Sequence, residues 1–362
     1  MSSFAKKLMK TTGSELISKS DHFDPAKKYE CPLDTPAIAV AMSGEIDGGL
    51  MRGIHMILGP SKHFKSNIAL KQCSNFLDAH EDSYLYYLNA EDGIPIESFE
   101  YFGIDANRVI HKFATNVEEM KQTLSKVLEA MQGEETRIII LVDSISQIAS
   151  SKEVNDALNE KEVADMTRAK SLNSMFRIIT PKLNMLRIPC LIINSTYEDI
   201  SNKYADPIVK GGKQATLSCN SQLLMGRRVV KDNDKNLVGY NFIMNLLKSR
   251  AVKEKSAIPL TVKFDGGIEK MSGVFEWAVA GGFIEAEGKR YKYADILGID
   301  DNKLQWRKHI EFDEEYLTPI LENDNFKEYV KDMFQLNRGK ANSTFVVDET
   351  TGEMIVKTAE KE

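Results

Sequence analysis

The chain has little cysteine, little tryptophan and no surplus of positive charge. Its four cysteines, Cys31, Cys73, Cys190 and Cys219, lie far apart with no CxxC pair, so free thiols are expected and neither a disulfide scaffold nor a zinc ribbon is. No apolar run approaches the length that spans a bilayer, which excludes a helical membrane protein. Met1 to Lys10 carries lysines but no following apolar stretch of signal-peptide length, so a cytoplasmic location is expected. With 47 Lys and Arg against 53 Asp and Glu, the net charge of -6 argues against a surface that coats nucleic acid everywhere. Any DNA contact must be local.

What is present is a soluble composition, 42% hydrophobic and 28% charged, in 362 residues, enough for a large core with smaller appendages. From Ile54 to Phe264 short apolar runs alternate with amphipathic segments, the pattern of a mostly parallel sheet flanked by helices, hence an α/β fold. Strands are expected at Ile54 to Leu58, Tyr84 to Asn89, Ile138 to Val142, Pro189 to Asn194, Gln222 to Gly226, Tyr240 to Leu247 and Leu260 to Phe264. Helical spacing covers Ser66 to Asp78, Val117 to Met131 and Asp165 to Met185, the last with an interruption or kink expected at Pro181. The segment before the core is polar and basic and too poor in apolar residues to fold alone, so it is expected to dock on something such as a neighbouring subunit. Beyond Gly267 the composition shifts toward Trp, Tyr and acidic residues. The resulting division is 1–35 as an N-terminal helical oligomerisation segment, 36–267 as the core, 268–341 as a small α+β domain and 342–362 as a mildly acidic tail.

Gly59-Pro60-Ser61-Lys62-His63-Phe64-Lys65-Ser66 follows an apolar strand and opens a helix, the context of a phosphate-binding loop. Successive backbone N–H groups and a helix N-terminus can wrap a triphosphate, Lys65 can neutralise its β and γ oxygens, and the Ser66 hydroxyl can ligate Mg²⁺. Phe64 stands where the motif has its second glycine, so the loop must tolerate a Cβ there. A plain strand-loop-helix with a surface lysine fits the same octapeptide.

Two acids bear on that choice. The apolar run from Arg137 to Val142 ends in Asp143, placed to hold Mg²⁺ through water, although a strand-end Asp can equally cap a helix. The run Tyr84 to Asn89 leads to Glu91 at the same carboxyl edge, where ligands sit in open α/β folds. There it can orient or deprotonate an attacking water, or be a solvated loop acid. Phosphate loop, Glu91 and Asp143 in this order point together to an ATPase.

With these motifs, Ser43-Gly44-Glu45-Ile46, Asp156 to Lys161, Asp165 to Lys170 and Val262 to Ile268, the chain resembles the RecA-type recombinases, in particular those of T-even-like bacteriophages. The phage members are similar even in a Phe before the loop lysine. The resemblance implies a RecA-like P-loop core binding ATP and Mg²⁺, with Gly59 to Ser66 on phosphate, Ser66 and Asp143 as metal ligands, and Glu91 activating water. It implies that Lys248 and Arg250 reach across a subunit junction to the γ-phosphate of a neighbour's ATP, acting as arginine fingers do. A solvated strand end is the plain alternative. Where bacterial relatives carry a γ-phosphate-sensing glutamine this chain has Ser195, and the family's adenine-stacking tyrosine falls on Ser98, so stacking is expected to pass to Phe99 or Phe264.

Two polar segments follow sheet strands and resemble the family's DNA-binding loops. Ser151 to Met166 leads into Arg168, Lys170 and Ser171, and Thr196 to Lys213 ends in Lys210-Gly211-Gly212-Lys213, where free N–H groups and lysines suit a phosphate. Structureless stretches of this length are uncommon unless functional. The implied activity is a DNA-dependent ATPase that forms helical filaments on single-stranded DNA and exchanges strands with a homologous duplex. Avidity along a filament reconciles DNA binding with an acidic protomer. A loading protein and a single-stranded DNA-binding protein are the implied partners, and the host cytoplasm the location if the chain is phage-encoded. A ring helicase or motor ATPase of the same fold, and a DNA-binding scaffold that does not hydrolyse ATP, are the competing readings.

Overall fold

The computed structural model describes residues 2–20, 22–159, 167–197, 208–209, 213–231, 235–301, 303–336, 343–347 and 354–358. One nine-stranded sheet organises them, built in chain order from β1 (Gly53–Leu58), β2 (Ser83–Asn89), β3 (Val109–Phe113), β4 (Arg137–Asp143), β5 (Pro189–Asn194), β6 (Cys219–Lys231), β7 (Leu237–Ser249), β8 (Ala257–Lys263) and β9 (Gly267–Ile268). The spatial order is β9-β8-β7-β6-β1-β5-β4-β2-β3. From β6 to β3 neighbouring strands run parallel, whereas β7, β8 and β9 are added antiparallel through hairpins.

The central strands are covered on both faces, so β1 and β5 are buried along their whole length, as apolar parallel strands usually are. On one face lie α2 (Pro36–Ser43) and α3 (Lys65–Ala79), with Ile38, Ile68 and Phe76 in the core. On the other lie α4 (Val117–Ala130) and α6 (Thr167–Met185), contributing Leu124, Leu128, Phe176 and Ile179. Helix α6 runs through Pro181, so the helix is not interrupted there. Each expected strand forms, and β6 and β7 extend to 13 residues each as a long hairpin. Strand β3 and helix α2 went unread in the sequence.

At the N-terminus α1 (Ser3–Thr12) is capped by the Ser2 hydroxyl but buries none of its residues, and Phe4 is 72% exposed. Beyond the main sheet, the helix Val274–Ala280 joins a three-stranded antiparallel sheet (Ile284–Glu287, Arg290–Tyr293, Gln305–Trp306) and the helices Glu314–Glu322 and Asp324–Phe334. Trp277, Phe283, Leu317 and Phe326 there pack into the same core as α2 and α3. The segment read as an acidic tail contains two paired strands, Ser343–Val347 and Met354–Thr358, both rich in β-branched residues.

Candidate active site

Strand registry brings the chemistry to one edge. Leu58 pairs with Asn194 and Asn89 with Asp143, so β1, β5, β4 and β2 end together. The loop Gly59 to Phe64 leaves β1 at this edge and turns into α3 at Lys65. Gly59 has φ of 144°, and a Cβ there would come within 3.1 Å of the Met225 carbonyl oxygen, so the residue must be glycine. Phe64 has φ of 61°, the left-handed conformation the motif's glycine would provide. The Cβ is tolerated because the ring stacks on Phe242 of β7, with centroids 5.1 Å apart and planes 19° from parallel. Arg227 adds a second brace by donating to the Lys62 carbonyl at 3.1 Å while lying over the Tyr240 ring. Within the loop, His63 Nδ1 lies 2.9 Å from the Ser61 carbonyl oxygen, and Pro60 and Ser61 are exposed.

Lys65 donates to the Pro60 carbonyl at 2.8 Å, folding its ammonium over the loop. Burial lowers its pKa, against the attraction of Asp143 and Glu91. Ser66 donates to the Asp143 carboxylate at 3.0 Å. Asp143 is buried at the end of β4 and its pKa is pushed up to about 6, chiefly by desolvation, with the Ser66 hydrogen bond opposing and the Glu91 charge adding. A carboxylate and hydroxyl held together beside a phosphate loop are hard oxygen donors, the set that suits Mg²⁺ bridged to a nucleotide. Asn89 sets the turn after β2, its side-chain oxygen accepting from the N–H groups of Glu91 at 3.1 Å and Asp92 at 2.8 Å. Glu91 is exposed and accepts a hydrogen bond from the Ser144 hydroxyl at 2.7 Å. Phosphate loop, Asp143 and Glu91 therefore form one cluster.

Ser195 follows β5 at the same edge and donates to the Ser146 hydroxyl at 3.2 Å. Phe264 is 60% exposed and meets Tyr240 edge-on. Phe99, expected as an alternative base-stacking ring, is instead buried against Tyr87 and has no free face for a base.

Lys248 and Arg250 lie where β7 ends, Lys248 level with Met56 in the middle of β1 and Arg250 farther from the phosphate loop. Because β7 is antiparallel to β6, Lys248 sits beside Gln222 and Arg250 bonds through its N–H to the Asn220 carbonyl, level with the start of β1. At ~3.3 Å per residue, Arg250 is roughly 15 Å down the sheet from the phosphate loop and two strands over, beyond its own reach to it. Lys248 donates to the carbonyls of Thr216 at 2.6 Å and Leu217 at 3.1 Å, in the last turn of α7 (Lys213–Ser218), a favourable place for a cation. It is thus engaged within its own chain. Arg250 is exposed and lines a cavity of about 550 Å³ with Arg52, Asn220 and Gln335.

The expected DNA-binding residues divide. Ser151 to Leu158 is not a loop but helix α5 (Ser151–Leu158), started by a capping box between Ser150 and Glu153. Arg168 spends its Nε and Nη2 on the carbonyls of Ile148 at 2.6 Å, Ile145 at 2.8 Å and Ser146 at 3.3 Å. Ser171 donates to Glu118, whose other oxygen receives Ser151, so both residues brace the protein itself. Lys170 is exposed. Of the second segment, Thr196–Tyr197 pairs antiparallel with Ile208–Val209, and Lys213 opens α7. Lys210, Gly211 and Gly212 lie outside the described residues. Ser144 and Ser146, absent from the sequence reading, join this site, and no motif marks them.

Comparison with known proteins gives the family. Residues 8–269 match the family model described as the RecA N-terminal domain. The chain is 33% identical over 369 residues to the recombination and repair protein of Enterobacteria phage T4, covering 100% of this chain and 93% of that one. It is 23% identical to the mitochondrial DNA repair protein recA homolog of Dictyostelium discoideum, over 82% of this chain and 64% of that one. To protein RecA of Streptomyces avermitilis it is 24% identical over 74% of this chain and 69% of the relative. A family match over most of the length, a full-length phage relative and a phosphate loop beside two acids on a mostly parallel sheet place this chain in the RecA family.

Proposed function

We propose that the chain is an ATP-dependent, DNA-stimulated recombinase that forms helical filaments on single-stranded DNA and pairs it with a homologous duplex. The observation that carries this reading is the placement of Arg250 at the end of the sheet opposite the phosphate loop. A cation there reaches a triphosphate only if that triphosphate belongs to another protomer, so turnover depends on assembly.

In this mechanism Gly59 to Ser66 wrap the phosphates, and Lys65 leaves the Pro60 carbonyl for the β and γ oxygens. Mg²⁺, held by Ser66 and Asp143, would neutralise charge developing on the phosphates. Glu91 orients the attacking water and accepts its proton, while Arg250 of the adjacent protomer stabilises the γ-phosphoryl charge. Lys248 acts less directly, fixing the helix that closes the second polar segment. Phe264 offers the exposed ring for the adenine. Lys170, Lys210, Gly211, Gly212 and Lys213 supply the DNA contacts, and α1, with its uncovered Phe4 and Leu8, docks on a neighbour. The domain division given above is retained, with 1–35 and 268–341 flanking the catalytic core. Among the described residues no helix is long and apolar enough to cross a membrane. The host cytoplasm is the proposed setting, with a loading protein and a single-stranded DNA-binding protein as partners.

The test is ATP hydrolysis with and without single-stranded DNA, with electron microscopy of the same samples. DNA-stimulated turnover with helical filaments is expected. Rings would support a helicase, and filaments without turnover a scaffold.

A further inference from the structure

The Glu91 carboxylate ends a chain of hydroxyls that crosses the sheet edge to β5. Ser144 donates to Glu91 at 2.7 Å, Ser144 and Ser146 are 2.5 Å apart, and Ser195 lies 3.2 Å from Ser146. Each hydroxyl has one proton to give, and an ionised carboxylate only accepts. The proton of Ser144 is committed to Glu91, so Ser146 must donate to Ser144. That commits Ser146 in turn and leaves Ser195 as its donor. The direction of every bond in the row is therefore set by the acid at its end.

The row is built into the fold. Ser144 and Ser146 are buried, at 1% and 8% exposure, where an unmade hydrogen bond is costly. Arg168 holds the carbonyls of Ile145, Ser146 and Ile148 from the start of α6, and Ile145 donates to the Ile193 carbonyl of β5 at 3.2 Å. Ser195 directly precedes the Thr196–Tyr197 strand of the second polar segment. Backbone displacement on that side moves the first donor, and displacement on the α6 side moves the middle one.

We propose that Ser146 is a positioning residue that links Ser195 to Glu91, so that occupancy of the two polar segments by nucleic acid sets the orientation of the water-activating carboxylate. This rests on the assignment of Glu91 and of DNA-stimulated hydrolysis made above. Ser195 is then a donor in the row, and contact with the terminal phosphate is not required of it.

The experiment measures ATPase rate against single-stranded DNA concentration for full-length wild type, Ser146→Ala, Ser195→Ala, Ser195→Thr and the Ser146→Ala/Ser195→Ala double variant. Fluorescent nucleotide binding is measured alongside. Ser146→Ala is expected to lower the DNA-stimulated kcat by up to about tenfold, the upper end of what one hydrogen bond between neutral groups contributes, with KM for ATP and nucleotide affinity unchanged. Ser195→Thr keeps the hydroxyl and retains stimulation, which a merely structural role for the site would not predict. The double variant is no worse than Ser146→Ala, since both cut one row. Full stimulation in Ser146→Ala, or multiplying losses in the double variant, overturns the link while leaving the recombinase reading intact. A wild type that DNA does not stimulate overturns both.

Discussion

Phe64 provides the sharpest test of how the phosphate loop is held. An L-residue in the left-handed region costs about 1–2 kcal/mol, which glycine avoids, although glycine adds about 0.5–1 kcal/mol of chain entropy on folding. Against that strain stands the ring: partial burial is worth roughly 1–2 kcal/mol, and a stacked aromatic pair about 0.5–1.5 kcal/mol more. The ring term is the larger, which is how the loop keeps Phe at a glycine position. Phe64→Ala removes the ring and keeps the strain, so a loss of about 2–3 kcal/mol is expected. Phe64→Gly removes both and should be about 0.5–1 kcal/mol less damaging than Phe64→Ala. The assay is urea unfolding of the nucleotide-free protein, completed as a double-mutant cycle with Phe242→Ala. A coupling of about 0.5–1.5 kcal/mol is expected, with a raised KM for ATP in each single variant. Coupling below about 0.3 kcal/mol would refute the brace, and Phe64→Ala more stable than Phe64→Gly would refute the strain.

Other outcomes follow from the same geometry. Lys65→Ala should abolish hydrolysis, and Arg250→Ala should keep nucleotide binding but lose DNA-stimulated turnover. Mixing the two should restore part of the activity, because Lys65→Ala protomers still present Arg250; a mixture as inactive as its parts would remove the trans contact. Asp143 has a folded pKa of about 6, above its ordinary 3.8, so its contribution to stability falls as pH rises through that window. Asp143→Asn should therefore raise the nucleotide-free Tm at pH 7, by up to about 3 kcal/mol of stability, while losing stabilisation by Mg²⁺ and ATP. His55 runs the other way. Buried between the Ser221 hydroxyl and the Met51 carbonyl, its pKa is pushed down to about 4, so stability is lost as pH falls from 6.5 toward 4. His55→Gln should flatten that acid limb in pH-dependent thermal unfolding.

The sequence exposed what periodicity and spacing encode. Central strands were legible because both faces are buried, and the phosphate loop because its residues are contiguous. Strand β3 was not, since His111 and Lys112 interrupt an edge strand that the core does not demand be apolar. Helix α2 is buried on every side, so its apolar run has no amphipathic period to read. Ser150 and Glu153 have the spacing of the capping box that starts α5, a signal that went unread in so polar a segment. Arg168 and Ser171 looked like ligands because side-chain type says nothing of the carbonyls and acids folding sets beside them. Ser144, Ser146 and Ser195 come from two strand ends and meet only when β4 and β5 pair.

The β6–β7 hairpin returns the chain to the far end of the sheet, giving each protomer two unlike ends. Contacts between unlike ends repeat in a single direction and cannot pair off by twofold symmetry. Under the proposed assembly, a row of n protomers holds n minus one complete pockets, and the terminal subunit with an uncompensated nucleotide is always at the same end. Growth and loss then differ between the two tips, so one extremity of such a polymer ages differently from the other.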